Sequence, residues 1–211
     1  MKKTLSIFAV IMLFTASIFA QGFKVKASGE QTFNFEDKAG RNQTTFFSTT
    51  PLEDITGLSG GVQGSVTFNV SDLKTLKGKL TVPVASIKTG IDLRDEHMRD
   101  AGWLDAAKYP EITFEIKKVS DVKAGADNKV TAKVTGNYTM KGVTKEVVAD
   151  ATLTYLDESE TTKSRAPGDL LGVQAKFNVK LSDYGVNNKL VGQKVSENVE
   201  VSVNIVGSNA Q

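Results

Sequence analysis

Along most of the chain, apolar and polar residues alternate, which is the pattern of a β-strand with one buried and one solvated face. In the stretch VQGSVTFNV, which starts at Val62, three valines and Phe68 fall on one face, and Gln, Ser, Thr and Asn fall on the other. The alternation recurs in stretches that start at Leu76, Glu111, Lys129, Glu146, Gly172 and Asn198. With a further strand near residues 23–35, the pattern predicts about eight or nine strands joined by turn-rich segments.

Short turns between these strands favour antiparallel neighbours, and a sheet with one apolar face must bury that face. Closing the sheet into a barrel buries the face and removes exposed edges, and eight strands leave an interior that is filled by side chains or holds one small ligand. We therefore predict an all-β fold, an antiparallel barrel of about eight strands. A two-sheet sandwich is left open by the pattern alone. An outer-membrane barrel is less favoured, because the polar face is rich in lysine and the apolar positions lack paired aromatic girdles.

One segment near the middle breaks the alternation. Its positions at i, i+4, i+8 and i+11 form one stripe of a helix, made of Leu93, His97, Ala101 and Leu104, with Met98 at the margin. Asp92 suits the N-cap of such a helix and Gly102 its end, while Asp95 lies in the first turn. We therefore predict one short α-helix between central strands, with its charged residues in water and its stripe over the apolar interior.

The N-terminus has the layout of a secretory signal peptide. Lys2 and Lys3 form a basic start, residues 5–19 are almost entirely apolar, and Ala20 is a small residue suited to cleavage. We predict a signal peptide over residues 1–20, one barrel domain over residues 21–211, and a periplasmic or secreted protein. No later stretch of the sequence is apolar enough to span a bilayer.

Composition narrows the function classes. The chain of 211 residues contains no cysteine, which excludes disulfides, thiolate chemistry and the acylated cysteine of a lipoprotein. It has 26 Lys and Arg against 24 Asp and Glu, and removal of Lys2 and Lys3 makes these numbers equal. A balanced chain lacks the basic surface that nucleic acids require, so we expect no nucleic-acid partner.

The only histidine, His97, is the first candidate for catalysis. A Ser-His-Asp site would need this histidine held by a carboxylate beside an exposed serine, yet no G-x-S-x-G elbow occurs. A zinc site draws on several His or Cys ligands, and the chain offers one. We therefore interpret His97 as a packing residue and expect no catalytic residue, no metal and no cofactor. A hydrolase that uses His97 on lipid-like substrates is the alternative.

The segment SIKTGIDLRDEHMRDAGWLDAAKYPEITFEI resembles the signature of the YceI-like, polyisoprenoid-binding family, with S-I-x-T, R-D-x-H-(L/M) and (Y/F)-P-x-(I/A)-x-F in that order. The matching residues are Ser86, Ile87, Thr89, Arg94, Asp95, His97, Met98, Leu104, Asp105, Tyr109, Pro110, Ile112 and Phe114. The later stretches VTGNYTMKGVTKEV and LSDYGV resemble two further motifs of that family. The similarity covers essentially the whole chain after the predicted signal peptide.

The resemblance implies an extended, lipocalin-like antiparallel barrel whose apolar tunnel holds a long isoprenoid or fatty-chain lipid. A lipid tail has no hydrogen-bonding demand, so we expect inward-facing residues to line it: Val66, Phe68, Leu80, Val82, Ile112, Phe114, Ile116, Val134, Tyr138, Phe177 and Val179. A few polar groups at one end would fix the head group, and for this mouth we expect Arg94, His97, Met98, Trp103 and Asp183. The alternative for Arg94 and Asp95 is that they pair with neighbouring loops and pin the helix.

Two departures from the family pattern bear on the head group. Leu181 stands where an arginine usually precedes the S-D-(F/Y)-G turn, and the first strands lack a histidine that is frequent in the family. The predicted function is a periplasmic or secreted binding protein that holds a polyisoprenoid or other long-chain amphiphilic lipid for transport, storage or sequestration. A stress-protective structural protein without a ligand is a further alternative. Transient membrane contact and a homodimer are left open as partners.

Overall fold

A computed structural model of the protein describes residues 22–210. Within that range the chain forms ten β-strands and two α-helices. In chain order they are β1 (Glu30–Asn34), β2 (Gln43–Thr49), β3 (Asp54–Ser59), β4 (Gln63–Asn69), β5 (Asp72–Pro83), α1 (Asp92–Arg99), β6 (Glu111–Ala124), β7 (Lys129–Met140), β8 (Val143–Leu156), α2 (Glu160–Lys163), β9 (Leu170–Lys180) and β10 (Asn198–Ser208). Short 3-10 turns cover Val84–Ser86 and Leu181–Tyr184. The predicted signal peptide lies outside the described residues.

Eight strands close into an antiparallel barrel in the order β1-β4-β5-β6-β7-β8-β9-β10. At one end of β10, Ser208 pairs with Asn34 of β1 and closes the ring. Further along β10, the partner strand is β2 instead, so the hairpin β2–β3 extends the wall beyond the end of β1. A bridge between Leu58 and Lys88 joins β3 to the segment before α1. The predicted all-β barrel is confirmed, and the two-sheet sandwich is wrong.

The apolar face of each strand points into the barrel. In β7, Val130, Ala132 and Val134 are buried, whereas Thr131 and Lys133 between them are exposed. The long strand β6 changes register twice against β7, between Ile116 and Lys118 and again between Ser120 and Lys123. Such bulges increase the local twist, which helps a long strand to follow a closed wall.

One end of the barrel is packed shut by aromatic side chains. Phe33 stacks on Phe68 at 5.8 Å between ring centroids and meets Tyr155 edge-on at 5.4 Å. The segment before β1 crosses this end, and Phe23 packs against both Phe68 and Tyr155. The predicted strand over residues 23–35 was therefore too long: only Glu30–Asn34 pairs with β4, and the earlier residues form a plug.

A buried carboxylate fixes the path from β1 to β2. Asp37 accepts hydrogen bonds from Arg41 Nε at 3.1 Å and from Arg165 Nη1 at 2.9 Å. The bond from Arg41 is the main reason why the pKa of Asp37 lies well below its ordinary value; burial acts against the shift and Arg165 adds to it. Asn42 donates to the carbonyl oxygens of Phe35 and Val206 at 2.8 and 3.0 Å. These bonds set where β2 joins β10.

Candidate functional site

A cavity of about 470 Å³ occupies the barrel between its packed end and α1. This volume lies in the ordinary range of small-molecule pockets. At about 30 Å³ for each water-sized unit, it has room for roughly 16 non-hydrogen atoms. The wall consists mainly of inward-facing Val, Ala, Leu, Ile and Phe side chains from β4 to β10 and from the hairpin β2–β3. The interior is therefore hollow, which does not fit a structural protein with a filled core.

Two phenylalanines of the wall lie over glycines on the neighbouring strand. A Cβ added at Gly136 would stand 2.5 Å from the ring of Phe114, so the absence of a side chain there lets the ring lie against the sheet. A Cβ at Gly57 would meet the ring of Phe46 in the same way. Since an aromatic ring packed over a glycine covers the strand instead of projecting from it, both pairs keep space free in the cavity.

The opening of the cavity lies at α1, and this helix differs from its prediction. It spans Asp92–Arg99 and its N-cap is Ile91, which makes no side-chain capping bond. Asp92 is therefore not the N-cap, and the helix ends before Ala101. The side chains of Leu93 and His97 border the opening but are exposed, Leu93 by 61%. The predicted covering stripe was wrong because the helix flanks an opening and does not lie over a packed core.

The single buried residue of α1 is charged. Asp95 accepts hydrogen bonds from the backbone amide of Thr89 at 2.7 Å and from its hydroxyl at 2.6 Å, and Lys88 Nζ lies 3.9 Å away. Burial alone would raise the pKa of Asp95, but the bonds from Thr89, with the charges of Lys88 and Arg99, outweigh it and lower that pKa. The prediction that all charged residues of this helix face water was wrong for Asp95.

Arg94 fastens the same helix to two other segments. Its Nε donates to the hydroxyl of Thr89 at 3.0 Å, and its Nη1 lies 3.8 Å from a carboxylate oxygen of Glu53, next to β3. Asp95 and Arg94 thus connect α1 to the chain that follows β5 and to the hairpin β2–β3. These contacts are those expected from the alternative in which the two residues pin the helix.

The structure brings together ten of the eleven residues predicted to line the tunnel. Val66, Leu80, Val82, Ile112, Phe114, Ile116, Val134, Tyr138, Phe177 and Val179 all border the cavity. Phe68 is fully buried but lies in the packed end, against Phe23 and Phe33. Contact of the ten cavity-lining residues with a lipid stays a prediction.

Four of the five residues predicted at the mouth border the cavity, namely Arg94, His97, Met98 and Trp103. Asp183 does not: it is exposed on the 3-10 turn Leu181–Tyr184. On the same turn Leu181 is buried and forms part of the wall, so an apolar side chain stands where the family pattern has an arginine. A head-group role for the four mouth residues stays a prediction.

Sequence reasoning missed two parts of the wall. The hairpin β2–β3 contributes Phe46, Ile55 and Gly57, and the loop after β9 contributes Leu190 and Val195. In β3 the buried and exposed residues alternate strictly, but Gly57 and Ser59 are buried and Leu58 is exposed, so the sequence DITGLS has no apolar period that could have identified the strand. The loop carries no periodic pattern that could have identified it.

In the described part of the chain, the side chains considered for catalysis or metal binding do not come together in one site. His97 is exposed, so its interpretation as a packing residue was wrong, and within residues 22–210 it has no hydrogen-bonded carboxylate or hydroxyl partner. No three His, Asp or Glu side chains in the described part of the chain are close enough to hold a metal ion. No helix between residues 22 and 210 has the length and apolar character needed to cross a membrane.

Comparison with known proteins confirms the resemblance seen in the sequence. The profile of the YceI-like domain matches residues 24–207. Protein YceI of Escherichia coli is 30% identical over 210 residues, which cover 98% of both chains. A UPF0312 protein of Pseudomonas fluorescens is 28% identical over 213 residues and covers the full length of both.

Solved structures show the same fold at lower identity. BcnA of Burkholderia cenocepacia matches with a TM-score of 0.64 at 19% identity, over 81% of this chain and 99% of its own. A polyisoprenoid-binding domain from Saccharophagus degradans, implicated in plant cell wall breakdown, matches with a TM-score of 0.65 at 16% identity, over 85% of this chain and 99% of its own. The lipocalin-like barrel is therefore shared with these proteins.

Proposed function

The chain belongs to the YceI-like family, and on that basis we propose that it is a binding protein which holds a polyisoprenoid or another long-chain amphiphilic lipid inside its barrel. The observation that carries this proposal is the apolar cavity of about 470 Å³, open beside α1 and closed at the aromatic end. The fold neighbour from Saccharophagus degradans is itself a polyisoprenoid-binding domain, which supports the ligand class.

The chemistry of the wall suits a hydrocarbon chain. Each methylene group that moves from water to such a wall contributes about 0.8 kcal/mol to the binding free energy. A hydrocarbon chain has no polar groups, so it needs no hydrogen bonds from the valines and leucines around it. Ordering a flexible chain and restricting its motion offset part of this gain. A ligand with roughly ten or more buried carbon atoms is therefore needed for stable binding, and the cavity has room for that number.

The proposed location is the periplasm or the cell exterior, where the protein would transport, store or sequester its lipid. The proposal rests on the signal peptide predicted over residues 1–20 and on the absence of cysteine from the chain. A homodimer stays a prediction from the family resemblance.

We also propose transient contact with a membrane at the opening, because apolar side chains project into water there. Ile91 and Leu93, which border the opening, are 52% and 61% exposed, and Leu190, on the loop after β9 that also borders the cavity, is 40% exposed. Leu52 is 82% exposed in the turn between β2 and β3, next to Glu53 at the opening. These four exposed aliphatic side chains, here called the rim, would enter a bilayer and let a lipid pass without crossing water.

Organic extraction followed by mass spectrometry tests the proposed function. The full-length chain, exported and purified without detergent, should release one long-chain amphiphile per barrel. Lipid-stripped protein should then take up added isoprenoid alcohol at the same ratio. Repeated extraction that yields no stoichiometric lipid, together with no uptake of added isoprenoids or fatty amides, would contradict the proposal.

A further inference from the structure

Tyr138 is a buried polar residue in an otherwise apolar stretch of the cavity wall. It lies on the inner face of β7, is 6% exposed and borders the cavity. Its ring meets Phe177 at 5.3 Å and Tyr184 at 5.5 Å, both edge-on. Its hydroxyl has no hydrogen-bond partner among residues 22–210, although rings on two sides hold it in place. No fully enclosed polar side-chain atom in the described part of the chain lacks a partner, so this hydroxyl is accessible from the cavity, where a ligand can accept its hydrogen bond.

The other buried polar side chains of the wall are already paired, and so are the partly buried Thr44 and Thr89. Within the described residues, hydrogen bonds link Thr44 to Ser202, Ser48 to Ser196, Ser59 to Ser86 and Thr89 to Asp95. Glu53, Arg94, His97 and Lys194 stand at the opening and are at least partly exposed. Thr45, Thr113 and Trp103 also border the cavity without a side-chain hydrogen bond, but all three are partly exposed, so Tyr138 is the one buried side chain of the described wall with a free donor.

We propose that Tyr138 donates a hydrogen bond to an uncharged oxygen acceptor of the bound lipid, such as a ketone, quinone, amide or ester carbonyl, held inside the barrel and not at its mouth. This inference rests on the proposed function and specifies the ligand class. A hydrocarbon or a simple terminal phosphate ester would leave the hydroxyl unpaired.

The surroundings of Tyr138 select a neutral acceptor. Its neighbours are Phe114, which is its partner on β6, and the rings of Phe177 and Tyr184, and the cations that border the cavity, Arg94 and Lys194, stand at the opening. An anionic group beside these rings would lose its hydration without a counter-charge. Burial first, and then the nearby Tyr184, raise the pKa of Tyr138 far above its ordinary value. The phenol therefore stays protonated and can donate throughout the physiological pH range.

Substitution of Tyr138 by Phe removes the donor and keeps the ring. Lipid-stripped protein would be titrated with geranylacetone, an isoprenoid ketone small enough for the cavity, and with the hydrocarbon of the same skeleton. The wild-type chain should prefer the ketone, and Tyr138→Phe should weaken ketone binding about threefold to tenfold while leaving hydrocarbon binding unchanged. In infrared spectra, the carbonyl stretch of ¹³C-labelled ketone should lie at lower wavenumber in the wild-type complex than in the variant complex.

Tyr155→Phe is the matched control, because the Tyr155 hydroxyl donates to Asp169 at 2.7 Å in the packed end. That variant should melt at a lower temperature yet retain the ketone preference, whereas Tyr138→Phe should melt no lower than wild type, since it loses no internal bond. Equal ketone-to-hydrocarbon ratios and equal carbonyl frequencies in wild type and Tyr138→Phe would overturn the role of Tyr138 and leave lipid binding intact. Failure of wild type to bind either compound would overturn the proposed function, and this inference with it.

Discussion

At the scale of single residues, the helix beside the opening is held by a carboxylate that its surroundings keep charged. Asp95 is 1% exposed and receives two hydrogen bonds from Thr89. Hydrogen bonds to a buried charged acceptor each contribute about 1.5–3 kcal/mol, more than bonds between neutral groups. The position of α1, and with it the shape of the opening, depends on this contact.

Asp95→Asn should therefore lower the free energy of unfolding at pH 7 by about 1–3 kcal/mol. The pKa of Asp95 is lower in the folded chain than in the unfolded chain, where it is about 4. Its contribution is thus complete above the unfolded value and is lost as the pH falls through the folded one. Denaturant unfolding of wild type and Asp95→Asn should show a difference in free energy of unfolding at pH 7, and this difference should become smaller below about pH 4.

Asp92→Asn is the control for this prediction, because Asp92 is exposed on the first turn of the same helix. Its stability should stay within about 0.5 kcal/mol of wild type. Asp37, whose pKa is also lowered, is present in every chain, so its own acid response cancels in the comparison. An Asp95→Asn chain as stable as wild type at pH 7 would contradict the role of Asp95. A difference in free energy of unfolding that does not change with pH would contradict it too.

At the scale of elements, the hairpin β2–β3 gives the cavity part of its volume. Gly57→Ala should push the ring of Phe46 away from β3 and toward the cavity, because that ring holds the space a Cβ would take. We expect the variant to fold and to bind a shorter maximum chain than wild type. A series of fatty alcohols of increasing length, measured by native mass spectrometry, checks this. An unchanged length limit in a folded variant would contradict it.

The strands with inner faces of Val, Leu, Ile and Phe could be predicted from alternation alone, because burial on one face requires that pattern. The hairpin was missed because its inner face carries small or polar residues, with Thr44, Ser48, Gly57 and Ser59 among them, and because Phe46 and Phe47 are adjacent. Without the apolar period, a wall strand looks like a loop.

The helix α1 could be predicted in place but not in orientation. The spacing of its apolar residues predicts a helix. In the sequence, however, an apolar stripe looks the same whether it covers a core or borders an opening. The burial of Asp95 follows from its contact with Thr89, which depends on the path of the chain after β5. The free hydroxyl of Tyr138 likewise follows from packing, since the alternating pattern of β7 shows only that the residue points inward.

At the scale of the whole molecule, an apolar cavity and an apolar rim meet at one end of the barrel. Replacement of Leu93 by Glu should weaken binding to neutral phosphatidylcholine vesicles about tenfold, because the side chain would no longer enter the bilayer. Lipid exchange with those vesicles should slow in parallel. Fluorescence transfer from labelled vesicles measures both effects.

Val148→Glu is the control for the rim, because Val148 is 51% exposed on the outer wall and does not border the cavity. It should bind vesicles and exchange lipid as wild type does. If Leu93→Glu and Val148→Glu lost vesicle binding to the same extent, the cause would be a general effect of added negative charge. That result would contradict a docking role for the rim.

The proposed function requires a lipid chain inside the barrel. Ala149, Ala151 and Ala175 lie side by side on the inner faces of β8 and β9 and border the cavity. Changing all three to Leu adds roughly nine carbon atoms to a space for roughly 16. The decisive measurement is the stoichiometry of a long-chain isoprenoid on lipid-stripped protein by native mass spectrometry. We predict one bound chain in wild type and in Val148→Leu and none in the folded triple variant; equal loading of the triple variant would contradict binding inside the barrel.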